Sequence, residues 1–288
     1  MAVFLAGLEY VLEEGPKNDW LGDPPIAVGA WLSLVAFLLF LERSFRSDGP
    51  IVKLTPFRKP TFVFACVFNL VLGFGLYAST YLIPLFLGRV RGYDSLQIGT
   101  TVLTTGVAQV GSVVLSAWLS QRLEPRKMIA VGLTVFAASL WLTSNVTIDW
   151  GFGDLLWPQA LRGAAIMFCI VPSVTLALAG FAAAELRYAS GLFNLMRNLG
   201  GAVGIAVVNT WLADQTRIHL ARFGETLGQA GRGAPDFVAG LAARIGQGIG
   251  QASGDPAQAL LAARGEFARL AGRYALTFAF EEVFRLMA

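Results

Sequence analysis

Charge is what this sequence has least of. Asp, Glu, Lys and Arg supply 14% of its 288 residues, against 55% hydrophobic residues and a mean hydropathy of +0.60, whereas soluble domains carry about 25% charge. That shortage excludes a water-soluble globular enzyme. Histidine occurs once, at His219, in a stretch read as a loop, where a lone imidazole is solvated far more often than catalytic. The two cysteines, Cys66 and Cys169, fall far apart inside apolar runs, so neither a disulfide framework nor a metal-ligand pair is indicated, and both read as buried small apolar residues. There is no phosphate-cradling glycine loop followed by Lys and Ser/Thr, no HExxH and no Cys/His cluster. The composition therefore gives no enzyme, no metal and no cofactor.

What is present is a series of charge-free stretches, at 24–41, 60–88, 95–121, 128–148 and 163–184. Crossing a bilayer takes roughly 20 apolar residues, so this reads as a polytopic membrane protein with the lipid bilayer as its first partner. In hydrocarbon each backbone N–H and C=O must be satisfied within its own segment, which predicts helices rather than short alternating strands. The expected fold is an all-α transmembrane helical bundle, with helices at about 1–12, 24–42, 60–88, 96–121, 128–148, 154–182, 189–213 and 272–288. The first and last are short apolar runs that read as cut helices, so both ends are expected to be fragment boundaries. The formal net charge of +3 lies between the runs and fits membrane topology better than nucleic-acid binding.

Alternate loops face opposite sides. The loops at 43–59, 122–127 and 183–188 hold nine Lys/Arg, and those at 13–23, 89–94 and 149–153 hold three. The positive-inside rule makes the first set cytoplasmic, against the six further Arg of 214–271 on the other side. The 214–271 stretch, rich in Gly, Ala, Gln and Arg, reads as a long extracytoplasmic loop. Val238, Leu241, Ile245 and Ile249 recur in it at helical spacing, and disorder around a short interfacial helix is the preferred reading.

Four stretches then carry a family resemblance: 48–62 (DGPIVKLTPFRKPTF), 92–99 (GYDSLQIG), 117–127 (AWLSQRLEPRK) followed by Gly132, and 157–163 (WPQALRG) leading to Pro172 and to 189–205 (ASGLFNLMRNLGGAVGI). Together they resemble the C-terminal half of a major facilitator superfamily drug:proton antiporter of the EmrB/QacA type. The resemblance implies that 1–59 is the end of one linker helix, a second linker helix (24–42) and a cytoplasmic link. It makes 60–213 five helices of the C-terminal bundle, 214–271 an outer loop and 272–288 the start of the final helix. Three sites depart from the family's pattern: Gly88 where glutamine is common, Thr104-Thr105 where proline is usual, and Gln121 where Asp is frequent.

The implied activity is proton-coupled efflux of amphipathic compounds by alternating access across the bacterial inner membrane, with a periplasmic adaptor and an outer-membrane channel as possible partners. For this chain alone no coupled transport is expected. The alternative is a membrane scaffold or interaction subunit, or a relic lacking the other half. No complete span carries Asp or Glu at its middle; Asp154, Glu185 and Asp214 are read as helix-end residues, and the proton carriers are expected in the other half.

Arg162 and Arg197 each lie about eight positions into a span, roughly 12 Å deep at 1.5 Å per residue. An embedded cation must face the protein interior or water and find a partner. Arg162 is read either as a substrate or gating contact or as packing against carbonyls, and Arg197 as a snorkelling or helix-locking residue with Asn194 beside it. Asn69, Tyr77, Gln109, Gln159, Arg162 and Asn194 are the candidates for a substrate path, and Tyr81 and Asn209 are further buried polar groups. Phe68, Phe74, Phe86, Trp141, Phe168 and Phe193 are candidate walls, though most such aromatics face lipid or core. Arg122, Arg126 and Lys127 at the inner turn, Arg197, and Gly200, Gly201 and Gly204 are the candidates for conformational change. The glycines suit close helix contact.

Overall fold

In the computed structural model of the chain, residues 2–18, 20–46, 53–229, 240 and 256–288 are described. All regular structure among them is helical: α1 (Ala2–Glu14), α2 (Pro24–Arg46), α3 (Pro60–Phe86), α4 (Ser95–Leu119), α5 (Pro125–Thr143), α6 (Phe152–Leu178), α7 (Ala183–Gln229) and α8 (Pro256–Met287), with short 3-10 turns and one π turn at Leu87–Arg91. Among the described residues six stretches are long and apolar enough to cross a membrane: Pro24–Ser44, Pro60–Arg91, Ser95–Leu119, Pro125–Thr143, Phe152–Leu178 and Glu185–Glu225.

Large apolar side chains cover the outside of the bundle. Phe64 is 75% exposed, Val110 72%, Trp157 70% and Trp31 68%. Water would not tolerate such continuous apolar surface, but lipid tails match it. The chain is an integral, multi-pass membrane protein.

Helix starts follow local chemistry. Pro60 and Pro125 open α3 and α5, where a missing N–H costs nothing. Asp94 and Gln97 form a reciprocal capping box at α4, each side chain accepting from the other's N–H. Gly151 N–H donates to Asp154 Oδ2 at 3.0 Å, so Asp154 closes the start of α6 as expected.

Helices α3 and α7 pack as one pair, α4 and α5 flank α6, α1 and α2 form a hairpin, and α8 lies along α7. One apolar cluster joins Phe86, Leu140, Leu155, Ile166, Leu212 and Phe280. A second, near the start of α3, joins Phe62, Cys66, Ala177, Ala189 and Phe193. Both cysteines are free and buried, as read from the sequence.

Helix α7 begins at Ala183 rather than 189 and α5 ends at Thr143 rather than 148, and two other boundaries differ more from the sequence reading. Helix α7 does not end near 213 but continues to Gln229, and α8 begins at Pro256 rather than 272. Much of the stretch read as an outer loop is therefore helix. Its Ala, Gln, Leu, Glu and Arg residues are good helix formers. Asp214 consequently lies inside a helix, and His219 is on α7 rather than in a loop. His219 Nε2 sits 3.3 Å from Glu282 Oε1 of α8, with its ring 5.7 Å from Phe278. The amphipathic segment around Val238, Leu241, Ile245 and Ile249 lies outside the described residues, as does part of the 43–59 link.

Candidate functional site

The one cation buried deep in the bundle among the described residues organises its polar centre. Arg162 of α6 is 3% exposed, and its guanidinium reaches three groups from three helices. Nη1 donates to the Ser79 carbonyl of α3 at 2.6 Å, and Nη2 donates to Gln159 Oε1 at 2.7 Å and to Thr105 Oγ1 of α4 at 3.2 Å. The Thr105 hydroxyl donates to the same Gln159 oxygen at 2.6 Å, and Gln159 Nε2 donates to the Thr101 carbonyl at 3.2 Å.

All of Arg162's partners are neutral acceptors; among the described residues no carboxylate pairs with it, and its Nε is buried without a partner. A planar fork with five N–H donors is suited to such a cage, where a point charge is not. The adjacent Gly163 lets α6 approach, because a side chain there would collide with the Thr105 carbonyl. Of the two readings of Arg162, packing against carbonyls describes its present contacts.

A second polar seam joins α3 to α7. Asn69 is fully buried and donates through Nδ2 to the Phe193 carbonyl at 2.5 Å, leaving its Oδ1 unpartnered. Tyr77 donates to Asn198 Oδ1 at 3.1 Å, and Tyr81 to Asn209 Oδ1 at 3.3 Å. The helices come this close because of glycine. A Cβ on Gly200 would overlap the Leu70 carbonyl, one on Gly73 the Arg197 carbonyl, and one on Gly201 the Tyr77 ring. At Gly204 it would lie 2.7 Å from the Phe74 carbonyl oxygen.

The expected residues separate into three groups. Gln159, Arg162 and Asn69 are buried ties between helices. Tyr77 and Asn194 lie exposed along the α3–α7 pair, with Arg197 half-buried and Tyr77's partner Asn198 exposed beside them. Arg197 Nη2 donates to Asn194 Oδ1 at 2.7 Å, one turn away on the same helix, so its side chain bridges no helices; its backbone meets Gly73 instead. Gln109 is half-buried on α4, apart from both seams.

At the turn between α4 and α5, Arg122 stacks over Trp118 at 4.3 Å and Lys127 pairs with Glu124 at 3.3 Å, while Arg126 is exposed. Among the aromatic candidates, Phe86 and Phe193 are core and Trp141 is 57% exposed on the outside. Ser79, Thr101, Thr105 and Asn198 were missed by the sequence reading. Thr105 alone left a trace, as half of the Thr104-Thr105 departure from the family's proline.

Groups of three or more His, Cys, Asp or Glu able to hold a metal ion are absent among the described residues. Two junctions fix the ends of the bundle. Lys59 Nζ donates to the Gly180 carbonyl at 2.7 Å and sits 3.9 Å from the Phe181 ring. At the opposite end, Arg91 Nη1 donates to the Ile148 carbonyl at 3.2 Å, and Arg273 Nε to the Val90 carbonyl at 2.8 Å.

Comparison with known proteins gives the same frame. The family model described as Major Facilitator Superfamily matches residues 21–205. The chain is 35% identical over 227 residues to the colistin resistance protein EmrB of Acinetobacter baumannii, covering 79% of this chain and 44% of that protein. It is 26% identical over 226 residues to the fatty acid resistance protein FarB of Neisseria gonorrhoeae, covering 78% and 44% respectively. It is 25% identical over 229 residues to the multidrug export protein EmrB of Escherichia coli strain K12, covering 79% and 44%. The chain thus spans less than half the length of these relatives.

Proposed function

Given that the chain belongs to the major facilitator superfamily, we propose that it is the C-terminal portion of a proton-coupled multidrug efflux transporter, exporting amphipathic compounds by alternating access across the inner membrane. The observation that carries this reading is its 35% identity over 227 residues to a colistin resistance protein.

The geometry supports a division of labour within that role. The cage of Arg162, Gln159, Thr105 and Ser79 keeps α3, α4 and α6 together as one body during rocking, since its hydrogen bonds would be costly to break away from water. Tyr77, Asn194 and Asn198 face the substrate route, being polar, exposed and side by side. Arg122, Arg126 and Lys127 mark the cytoplasmic turn whose contacts change between access states. Gly200, Gly201 and Gly204 fix α7 against α3. Protons are carried outside this portion of the transporter, and a periplasmic adaptor meets its outer side.

The test is complementation in a bacterial strain stripped of its own efflux pumps. The chain is produced alone and together with the N-terminal half of the Acinetobacter baumannii relative, and drug tolerance and ethidium accumulation are measured. Protection is expected only when both halves are present. A stably inserted chain that protects in neither case would overturn the reading and favour a scaffold or interaction subunit.

A further inference from the structure

A cavity of about 850 Å³ opens between the α1–α2 hairpin, the first turns of α7 and the link before α3. This volume is within the range of pockets that enclose drug-sized ligands. Its walls are graded. Phe37 and Phe40 of α2 face Leu195 and Leu199 of α7, and the Phe4 ring of α1 closes against Phe37 with centroids 4.7 Å apart. At the other end stand Lys53 and Arg58 with the Thr55 hydroxyl. Lys53 Nζ lies 5.2 Å from the ring of Tyr188, which ties this basic end to the start of α7.

From Tyr188 to Leu199 is 11 residues, so the apolar wall extends roughly 16 Å from the basic end at 1.5 Å per residue. The basic end lies on the side that the positive-inside rule makes cytoplasmic. Among the described residues neither Lys53 nor Arg58 pairs with a carboxylate. A water-soluble anion would leave the aromatic wall wet, and a neutral hydrocarbon would leave the two cations unmatched.

From this gradient of charge and hydrophobicity we infer that the cavity binds an anionic phospholipid of the cytoplasmic leaflet, headgroup at Lys53 and Arg58 and acyl chain along Phe37, Phe40, Leu195 and Leu199. The lipid fills the seam between the linker hairpin and the bundle, making the hairpin's seat dependent on membrane composition. This inference needs membrane insertion and orientation only, and stands apart from efflux.

The experiment is native mass spectrometry of the full chain, delipidated in mild detergent and titrated with palmitoyl-oleoyl-phosphatidylglycerol or with phosphatidylcholine bearing the same chains. Phosphatidylglycerol is expected to bind in preference. Lys53→Gln combined with Arg58→Gln should weaken it about 30-fold, given the attraction each basic residue exerts on an anionic lipid. Lys53→Arg with Arg58→Lys should preserve binding, and Leu195→Trp, which fills the cavity, should weaken both lipids. Arg89→Gln with Arg217→Gln removes two cations at the other end and should change nothing.

Equal retention of the two lipids would overturn the inference, as would an equal loss in the Arg89/Arg217 variant. Oleate binding without phosphatidylglycerol binding would assign the cavity to a single-chain anion instead. Disulfide cross-linking between two copies through Leu195→Cys would assign it to self-association.

Discussion

Replacing Gly204 by alanine tests whether backbone contact, rather than side-chain packing, sets the α3–α7 distance. The new Cβ would stand 2.7 Å from the Phe74 carbonyl oxygen, where ordinary contact begins at 3.4 Å. The helices must therefore part by at least the difference, about 0.7 Å. That shift stretches Tyr77–Asn198 from 3.1 to about 3.8 Å and Tyr81–Asn209 from 3.3 to about 4.0 Å, beyond hydrogen-bonding range. Two interhelical hydrogen bonds average about 0.6 kcal/mol each in membranes, and overpacking adds about 1–3 kcal/mol.

The expected loss is about 2–4 kcal/mol. It would be read as a lower midpoint when the protein, held in mild micelles, is unfolded reversibly by titrating in dodecyl sulfate. Gly111→Ala is the comparison, because no atom lies within 4 Å of its added Cβ; it should gain up to about 1 kcal/mol from helix propensity. Equal midpoints for Gly204→Ala and the unaltered chain, or an equal loss in Gly111→Ala, would refute the argument.

The remaining predictions address charge. Arg162→Met removes the bridges to Ser79 and Thr105, so stability should fall by about 1–3 kcal/mol at the membrane value per bond. Arg162→Lys should fall further in the same titration, because it keeps the buried charge without the fork. Lys59→Ala should cost about 1–2 kcal/mol through loss of the Gly180 hydrogen bond and the Phe181 ring contact; faster proteolysis at Arg187 would report the loosened junction, and Lys59→Arg should largely restore it. At the start of α8, the Arg269 hydrogen bond holds the Glu266 carboxyl below its ordinary range, with the charges of Arg269 and Arg273 acting the same way. A depressed carboxylate stabilises the helix above its usual pKa and stops doing so as pH falls through its lowered value. Protection factors over 261–270, exchange rates divided into the intrinsic rate at each pH, should therefore fall on acidification, and Glu266→Gln should remove that fall.

The spans were legible because hydrocarbon imposes a length and excludes charge, so runs such as 60–88 and 95–121 announce themselves. The ends of α7 and α8 were not. Where a stretch is polar, a helix is held by propensity and by side-chain neighbours, as His219 is by Phe278 and Glu282, and such contacts leave no hydropathy signal. Arg162 was legible as a cation needing a partner. Its partners were not, because Ser79 contributes a backbone carbonyl and Thr105 a hydroxyl, and such groups recur along every span without marking which one faces inward. The glycines of 200–204 were legible as a contact surface, though the opposing Leu70 and Phe74 carbonyls were not.

Helix α7 is longer than any bilayer requires. From its glycine anchorage at Gly204 to Gln229 there are 25 residues, roughly 38 Å at 1.5 Å per residue. With α8 lying along it, this forms a two-stranded mast rising from the bundle. Trigonometry makes it a lever: a tilt of about 10° at the anchorage sweeps the tip through roughly 7 Å, so a small change of angle deep in the bundle becomes a displacement that anything touching the tip would register.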